Sequence, residues 1–421
     1  MLFRDFHTRA AAAWTGCLLI CLSTATAAET VTVDLGTDGG EILHRASGFL
    51  HGFSDDGQLP PDNMIMPLKT RLHRTRPGTT WVQAERMKKL GIEQQVVVSD
   101  GWGYGKEHPG DGGQWAKWEE FVVHMVKDAQ KRALKPQWDI WNEPDHGFFW
   151  KRSAEQFNET WRRAYLKIRQ ADPQAIIVGP SWSSVHPGQP RFAAFIRFCK
   201  DNKVVPDYVC WHFPKDVVKE AEECRKFLKA EQFEVKGLMV NEYCLAQEQY
   251  AGKTAWLIAQ VERARIDLSC HAIWGDEGKG NLDGILYDAR KAQPKGQWWA
   301  YQCYGALSGR LIATTPSAKI DLVASHDEGG KSAQVLLGNA GKFSGEVTVR
   351  VQGLDKAAHL REGDQVHVIV ERIPEENGGA VVSVQKVFDA RITVRNNTID
   401  VTIPWTSDRD AFALHLGPAQ R

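Results

Sequence analysis

Trp138-Asp139-Ile140-Trp141-Asn142-Glu143-Pro144 is an apolar run that closes on a carboxylate and is stopped at once by proline. Proline has no N–H to give a sheet ladder and fixes its own φ, so it marks the end of a strand and the start of a turn. A second run, Gly237-Leu238-Met239-Val240-Asn241-Glu242-Tyr243, is built the same way and also ends on Asn-Glu. The step from Glu143 to Glu242 is 99 residues, three units of about 33, the length of one strand–helix repeat. If the first run is the fourth strand of a series, the second is the seventh.

Working outward, short apolar runs alternate with longer amphipathic stretches, the texture of βα units around a parallel sheet. Eight strands are predicted, at Ser47–Phe53, Thr70–Arg74, Gln94–Ser99, Gln137–Trp141, Ala175–Gly179, Tyr208–His212, Gly237–Asn241 and Cys270–Trp274. Between them, Trp115, Trp118, Phe121, Val122, Met125 and Ala129 recur at helical spacing, as do Phe157, Trp161, Ala164, Tyr165 and Ile168, and Ser153 with Gln156 reads as a capping box. Eight such units define a (β/α)8 barrel, placed at residues 45–312, whose active site forms at the C-terminal ends of its strands. After Gly309 the pattern turns to period-two runs split by Gly, Asn and Asp: Ile320–Ser325, Ala333–Asn339, Glu346–Val351, Val366–Arg372, Val381–Phe388, Thr398–Ile403 and Ala411–Leu416. These read as a C-terminal β-sandwich over 313–421, with an N-terminal strand inside 29–44 pairing onto it.

The 421 residues carry 52 basic and 52 acidic side chains, which leaves no electrostatic footprint for nucleic acid or an anionic membrane. Residues 1–28 read as a signal peptide: Arg4 and Arg9, an apolar stretch from Ala10 to Leu22, then Ala25-Thr26-Ala27. The expectation is a secreted or periplasmic protein with no membrane contact after cleavage. Six of the 8 cysteines lie beyond that segment, and their spacing leaves the pairing open and offers no C-x-x-C metal or redox site. Asn158-Glu159-Thr160 and Asn396-Asn397-Thr398 fit the glycosylation acceptor pattern.

Two carboxylates at one barrel mouth can flank one bond. Held about 5 to 5.5 Å apart, they are what double-displacement glycoside hydrolysis needs, one ionised as nucleophile and one protonated as acid. Glu143 and Glu242 are the catalytic candidates, with carbohydrate as partner and no metal or organic cofactor expected. The alternative is a non-catalytic carbohydrate-binding protein on a glycosidase barrel. Retention of both glutamates argues against it, since a decayed site has no reason to keep the demanding pair.

With Trp141-Asn142-Glu143-Pro144, Phe148-Phe149-Trp150, Gly179-Pro180-Ser181 and the barrel–sandwich order, the chain resembles the clan A retaining glycoside hydrolases. It is most similar to glycoside hydrolase family 39, the β-xylosidase and α-L-iduronidase family. The resemblance implies Glu143 as acid/base, Glu242 as nucleophile and Asn142 as hydrogen-bond partner of the sugar's 2-hydroxyl. It further implies an arginine on the second strand beside the nucleophile. Arg71 and Arg74 fall on opposite faces, and Arg74 is the choice. His212, at the end of strand six, would contact the nucleophile, and Trp274, at the end of strand eight, would lie under the sugar. His51, and Asp100 with Trp102, at the ends of strands one and three, are subsite candidates; Asp276 and Glu277 add acidic groups at the mouth, and His146 is a possible partner for Glu143. Sugar specificity, endo or exo action and oligomeric state stay open.

Overall fold

The computed structural model describes residues 27–105, 107–272 and 277–418. Eight parallel strands close into a barrel: β2 (Gly48–Leu50), β3 (Leu72–Thr75), β4 (Glu93–Val97), β5 (Gln137–Asp139), β6 (Ile176–Trp182), β7 (Tyr208–His212), β8 (Gly237–Tyr243) and β9 (Leu268–His271). Around it run α1 (Pro77–Leu90), the short α2 (Val98–Trp102), α3 (Ala116–Lys131), α4 (Ala154–Ala171), α5 (Pro190–Asp201), α6 (Val217–Ala230), α7 (Ala251–Arg263) and α8 (Gly296–Gly305). The barrel fold read from the two Asn-Glu runs is borne out.

Local chemistry explains the helices. Pro77 opens α1, where a missing N–H costs nothing, and Gly91 closes it in the left-handed conformation with its N–H on the Lys88 and Met87 carbonyls. At α4 the Ser153 side chain accepts from the Gln156 N–H, but the Gln156 amide turns away to the Pro109 carbonyl and Asp111, so only half of the expected capping box forms. Phe157, Trp161, Ala164 and Ile168 are buried as their spacing requires, while Tyr165 at the margin of that face is half-buried; each large buried side chain is worth about 1.5 to 3 kcal/mol. Trp161 lies so close to β6 that a Cβ on Gly179 would stand 2.3 Å from its ring.

Inside the barrel, alternation selects the face. Leu72 and Arg74 of β3 point inward, while His73 turns out against Phe53 with ring centroids 4.6 Å apart. The floor is apolar, formed by Leu50, Leu72, Val178, Cys210, Met239, Leu268 and Cys270, and polar side chains crown it.

The C-terminal region forms two sheets. β1 (Ala27–Asp34) runs parallel to β12 (Gly345–Gln352), which pairs with β15 (Ile399–Trp405). The larger sheet contains β10 (Ile320–Asp327), β11 (Ser332–Asn339), β13 (Gln365–Ile373), β14 (Gln385–Thr393) and β16 (Ala411–Gly417). In β15, Ile399, Val401, Ile403 and Trp405 are buried in strict alternation, the period-two signature of a half-covered sheet. The strand expected at Val381–Phe388 runs instead over Gln385–Thr393. Val381 is buried against the barrel, its N–H on the Pro294 carbonyl and its carbonyl accepting from the Trp299 indole, so the first apolar residue of that run serves the interface. The larger sheet lies on α7, and a side chain at Gly338 would meet the backbone of Trp256 at 1.9 Å.

All six cysteines from Cys199 to Cys303 are buried and free. Of the pairings left open by the sequence, the structure forms none.

Candidate active site

The mouth of the barrel departs from regular strand geometry. His51, Glu143, Ser181, Phe213 and Cys244 all have φ between 43° and 72°, the left-handed region that costs a non-glycine residue about 1 to 3 kcal/mol. Register shifts interrupt β6–β7, β7–β8 and β8–β9 near their C-terminal ends. Strict alternation from Met239 would turn Asn241 inward and Glu242 outward. The β7–β8 shift instead sets Glu242 opposite His212, and both Asn241 and Glu242 face the interior, as bulges at barrel rims permit.

Arg74 is the hub. Its Nη1 donates to Glu242 Oε1 at 2.6 Å, its Nη2 to Asn142 Oδ1 at 2.8 Å, and its Nε and Nη2 to Asp139 Oδ2 at 3.0 and 2.8 Å. Burial works against its charge, but Asp139 and Glu242 outweigh it and raise the pKa of Arg74, which stays a cation. Arg71, by contrast, faces out and reaches the Leu43 carbonyl.

Glu143 and Glu242 sit in different surroundings. His212 Nδ1 is 2.9 Å from Glu143 Oε1 and 3.6 Å from Glu242 Oε1, so its primary contact is Glu143 rather than the carboxylate expected from the sequence. Burial depresses His212 to about 4, which leaves the imidazole neutral. Burial pushes Glu143 up to about 7, with Arg74 opposing and Asp145 adding to the rise. Glu242 is also raised by burial, while His212 and Arg74 pull it back and Glu143 pushes it further up. One oxygen of each carboxylate and one nitrogen of His212 lie within 4.8 Å of one another. Glu242 Oε1 is engaged by the guanidinium, whereas Oε2 is buried without a hydrogen-bond partner.

Such a trio could in principle hold a cation, but the position beside Glu242 is already filled by the Arg74 guanidinium at 2.6 Å. The charge of one carboxylate is therefore met by the protein.

A cavity of about 310 Å³ opens over Glu242, lined among others by His51, Arg76, Asp100, Tyr104, Asn142 and Phe149. His51 is held by Thr75 Oγ1 at 2.9 Å and lies 3.9 Å from Asp100. Burial lifts Asp100 to about 6 and lowers His51 to about 3. Glu277 also lines the cavity, while Trp274 and Asp276 lie outside the described residues.

Two candidates fall elsewhere. Trp102 packs edge-on to Trp118 and Phe121 at 5.3 and 5.4 Å, because α2 begins straight after β4 and winds the chain so that Asp100 faces the cavity and Trp102 the helix layer. His146 is exposed; its backbone N–H bonds the Glu143 carbonyl at 3.0 Å, and its ring acts on the Glu143 carboxyl through charge, opposing the rise that burial causes. Sequence reasoning missed Asp139, Ser181, Asn241, Arg76, Tyr104 and Phe149 as members of the site. Ser181 and Phe149 stood within quoted motifs, and Asp139 and Asn241 within the two quoted strands, but nothing local distinguished them.

Residues 105–240 match the sequence profile of Glycosyl hydrolases family 39, a stretch that contains Asn142, Glu143 and His212. The resemblance read from the Trp-Asn-Glu-Pro motif is thus borne out there. The chain is 23% identical over 480 residues to a 3-O-alpha-D-galactosyl-alpha-L-arabinofuranosidase of Bifidobacterium longum subsp. longum, an alignment that takes in 93% of this chain and spans only 41% of that relative's length. Its fold is similar to N2152 from Neocallimastix frontalis, with TM-score 0.80 and 23% identity over 93% of this chain and 100% of that one. It is also similar to the GH39 enzyme from Xanthomonas axonopodis pv. citri, with TM-score 0.67 and 14% identity over 96% and 100% of the two chains.

Proposed function

We propose that this chain is a retaining glycoside hydrolase working by double displacement, with Glu242 as nucleophile and Glu143 as acid/base. The observation that carries the reading is the pair of carboxylates with oxygens within 4.8 Å, nearer the about 5 to 5.5 Å of retaining enzymes than the about 6.5 to 9.5 Å that leaves room for an attacking water. Their surroundings divide the roles. Glu242 is bonded to a cation and keeps Oε2 unpartnered for attack on the anomeric carbon, while Glu143, raised to about 7, holds a proton near neutrality.

In the first step Oε2 bonds to the anomeric carbon as the glycosidic C–O bond breaks and the Glu143 proton passes to the leaving oxygen. In the second, Glu143 takes a proton from water, the water oxygen bonds to the same carbon, and Glu242 departs as carboxylate. Asn142 faces the 2-hydroxyl, and His51, Arg76, Asp100 and Tyr104 bind the other hydroxyls. Xylosides and arabinofuranosides are the first substrates to test, the former from the resemblance to β-xylosidases and the latter from the activity named for the Bifidobacterium relative.

The experiment is sugar release from a panel of aryl glycosides and polysaccharides, xylosides, arabinofuranosides and uronides included, by the wild type beside Glu143→Ala and Glu242→Ala. Activity abolished in Glu242→Ala, and kept in Glu143→Ala only where the leaving group needs no proton, supports both roles. Full activity in Glu242→Ala overturns the proposal. Export belongs to the same proposal: no helix among the described residues is long and apolar enough to cross a membrane, and N-terminal sequencing of the exported protein tests for removal of residues 1–28.

A further inference from the structure

Beyond Glu143 and Glu242, a third carboxylate on Arg74 has no part in the two displacement steps. Asp139 is fully buried on β5, and its oxygens accept from Arg74 Nε and Nη2 at 3.0 and 2.8 Å, Asn241 Nδ2 at 3.0 Å and Ser181 Oγ at 2.7 Å. Asn241 Nδ2 also donates to Gln95 Oε1 at 2.9 Å. Four strands, β3, β5, β6 and β8, thereby converge on one anion in the barrel's interior. A buried carboxylate is costly unless its lone pairs are met, and here each oxygen has at least one donor.

This arrangement constrains Arg74. Nε and one N–H of Nη2 are committed to Asp139, which fixes the guanidinium plane, and in that plane the other Nη2 N–H falls on Asn142 Oδ1, so Arg74 meets Glu242 through Nη1 alone. A free arginine would take a carboxylate by both arms. The single contact leaves Glu242 Oε2 without a partner. Nη2 also reaches Asn142 Oδ1 at 2.8 Å, which assigns the oxygen side of that amide to Arg74 and leaves its Nδ2 donors for the cavity.

We infer that Asp139 is a positioning residue that acts through Arg74 on two groups at once: it prevents a bidentate clamp on Glu242, and it sets the Asn142 amide with its donors toward the sugar's 2-hydroxyl. The inference rests on the reading of Glu242 as nucleophile. With Asp139 replaced by Asn, the amide would present N–H groups to the donors of Arg74 and Asn241. Arg74 would then be released onto its remaining anionic partner, Glu242. A nucleophile clamped by both arms ionises at lower pH and attacks more slowly, and Asn142 is freed to turn over.

The test uses the full chain and the nitrophenyl glycoside on which the wild type is active, with its 2-deoxy counterpart. Asp139→Asn is expected to lose about 10²-fold in kcat/KM, the size of losing one preorganised donor. The acidic limb of its pH profile should move to lower pH, and its penalty for the 2-deoxy substrate should shrink. Ser181→Ala keeps the charge and three of the contacts, and is expected to leave both limbs in place with less than about tenfold loss. An acidic limb and a 2-deoxy penalty both unchanged in Asp139→Asn overturn the inference, since a loss of packing alone moves neither. If Asp139→Asn does not fold, the double variant Ser181→Ala/Asn241→Ala decides, a smaller 2-deoxy penalty supporting the inference and an unchanged one overturning it. Failure of the parent reading looks different, because then the wild type is inert on the panel or Glu242→Ala stays active.

Discussion

The alkaline side of the pH profile is the sharpest consequence of the site. An ordinary glutamate near 4.5 is protonated in about one molecule in 300 at pH 7, whereas at a pKa of about 7 half the Glu143 side chains hold a proton. Burial is thus worth roughly 150-fold in the population of competent acid at neutrality. The sign follows from the role proposed for Glu143: an acid must hold its proton, so kcat/KM falls as pH rises through 7 and reaches about one-hundredth of its plateau at pH 9. The assay compares two substrates over pH 5 to 9, one with an alkyl or sugar leaving group and one with dinitrophenyl, which departs unprotonated. The limb should stand near pH 7 for the first and disappear from the glycosylation step of the second. A limb centred near pH 4.5, or one that persists unchanged in Glu143→Ala, would refute the reasoning that burial loads this residue with its proton.

Arg74→Met leaves Asp139 and Glu242 buried without their cation, which should cost about 3 to 5 kcal/mol of stability; urea unfolding beside the wild type measures it, and a loss below about 1 kcal/mol would contradict the hub role. The six cysteines from Cys199 to Cys303 are buried and free, and burial raises Cys224 to about 12. A thiol reagent should therefore label none in the native protein and six after denaturation of the processed chain, or eight if residues 1–28 are retained. Because the charge of Glu242 is met by Arg74, dialysis against chelator should leave the rate unchanged, and a loss restored by added divalent metal would reopen the trio as a metal site.

Much of this molecule can be read from its sequence because a parallel barrel buries its strands on both faces. The resulting runs, Gly237-Leu238-Met239-Val240 for instance, are continuous, apolar and cut off by polar or proline punctuation. Alternation sets Arg71 and Arg74 on opposite faces of the predicted second strand but does not say which face is the inner one; that an arginine belongs there is what the resemblance implies. Reading failed where the backbone abandons the period of two. Trp102, expected with Asp100 at the end of the third strand, sits on α2 instead, because the chain becomes helical at Val98. The resemblance puts His212 beside Glu242, and it stands 3.6 Å away, but the left-handed turn at Glu143 brings that second carboxylate nearer still, to 2.9 Å. Asp139 and Asn241 carry no local mark, because their importance lies in contacts across 65 and 102 residues of sequence.

The two Asn-Glu pairs show how far identical local sequence can diverge in chemistry. Asn142-Glu143 lies beyond the end of β5, where Glu143 takes φ 43° and its N–H bonds the Ser181 carbonyl. That turn carries its carboxylate away from Arg74 to a neutral imidazole. Asn241-Glu242 lies within β8, where the register shift turns both side chains inward, Asn241 to Asp139 and Glu242 to Arg74. After β5 it is the Asn that meets the guanidinium; on β8 it is the Glu. Exchange of partners between two copies of one dipeptide thus leaves one carboxyl beside a cation and the other beside a neutral ring, the asymmetry that the proposed acid and nucleophile require. Moving Glu143 one position along the chain would keep the composition and destroy that division, so the site is specified by where the backbone leaves the strand as much as by which residues stand there.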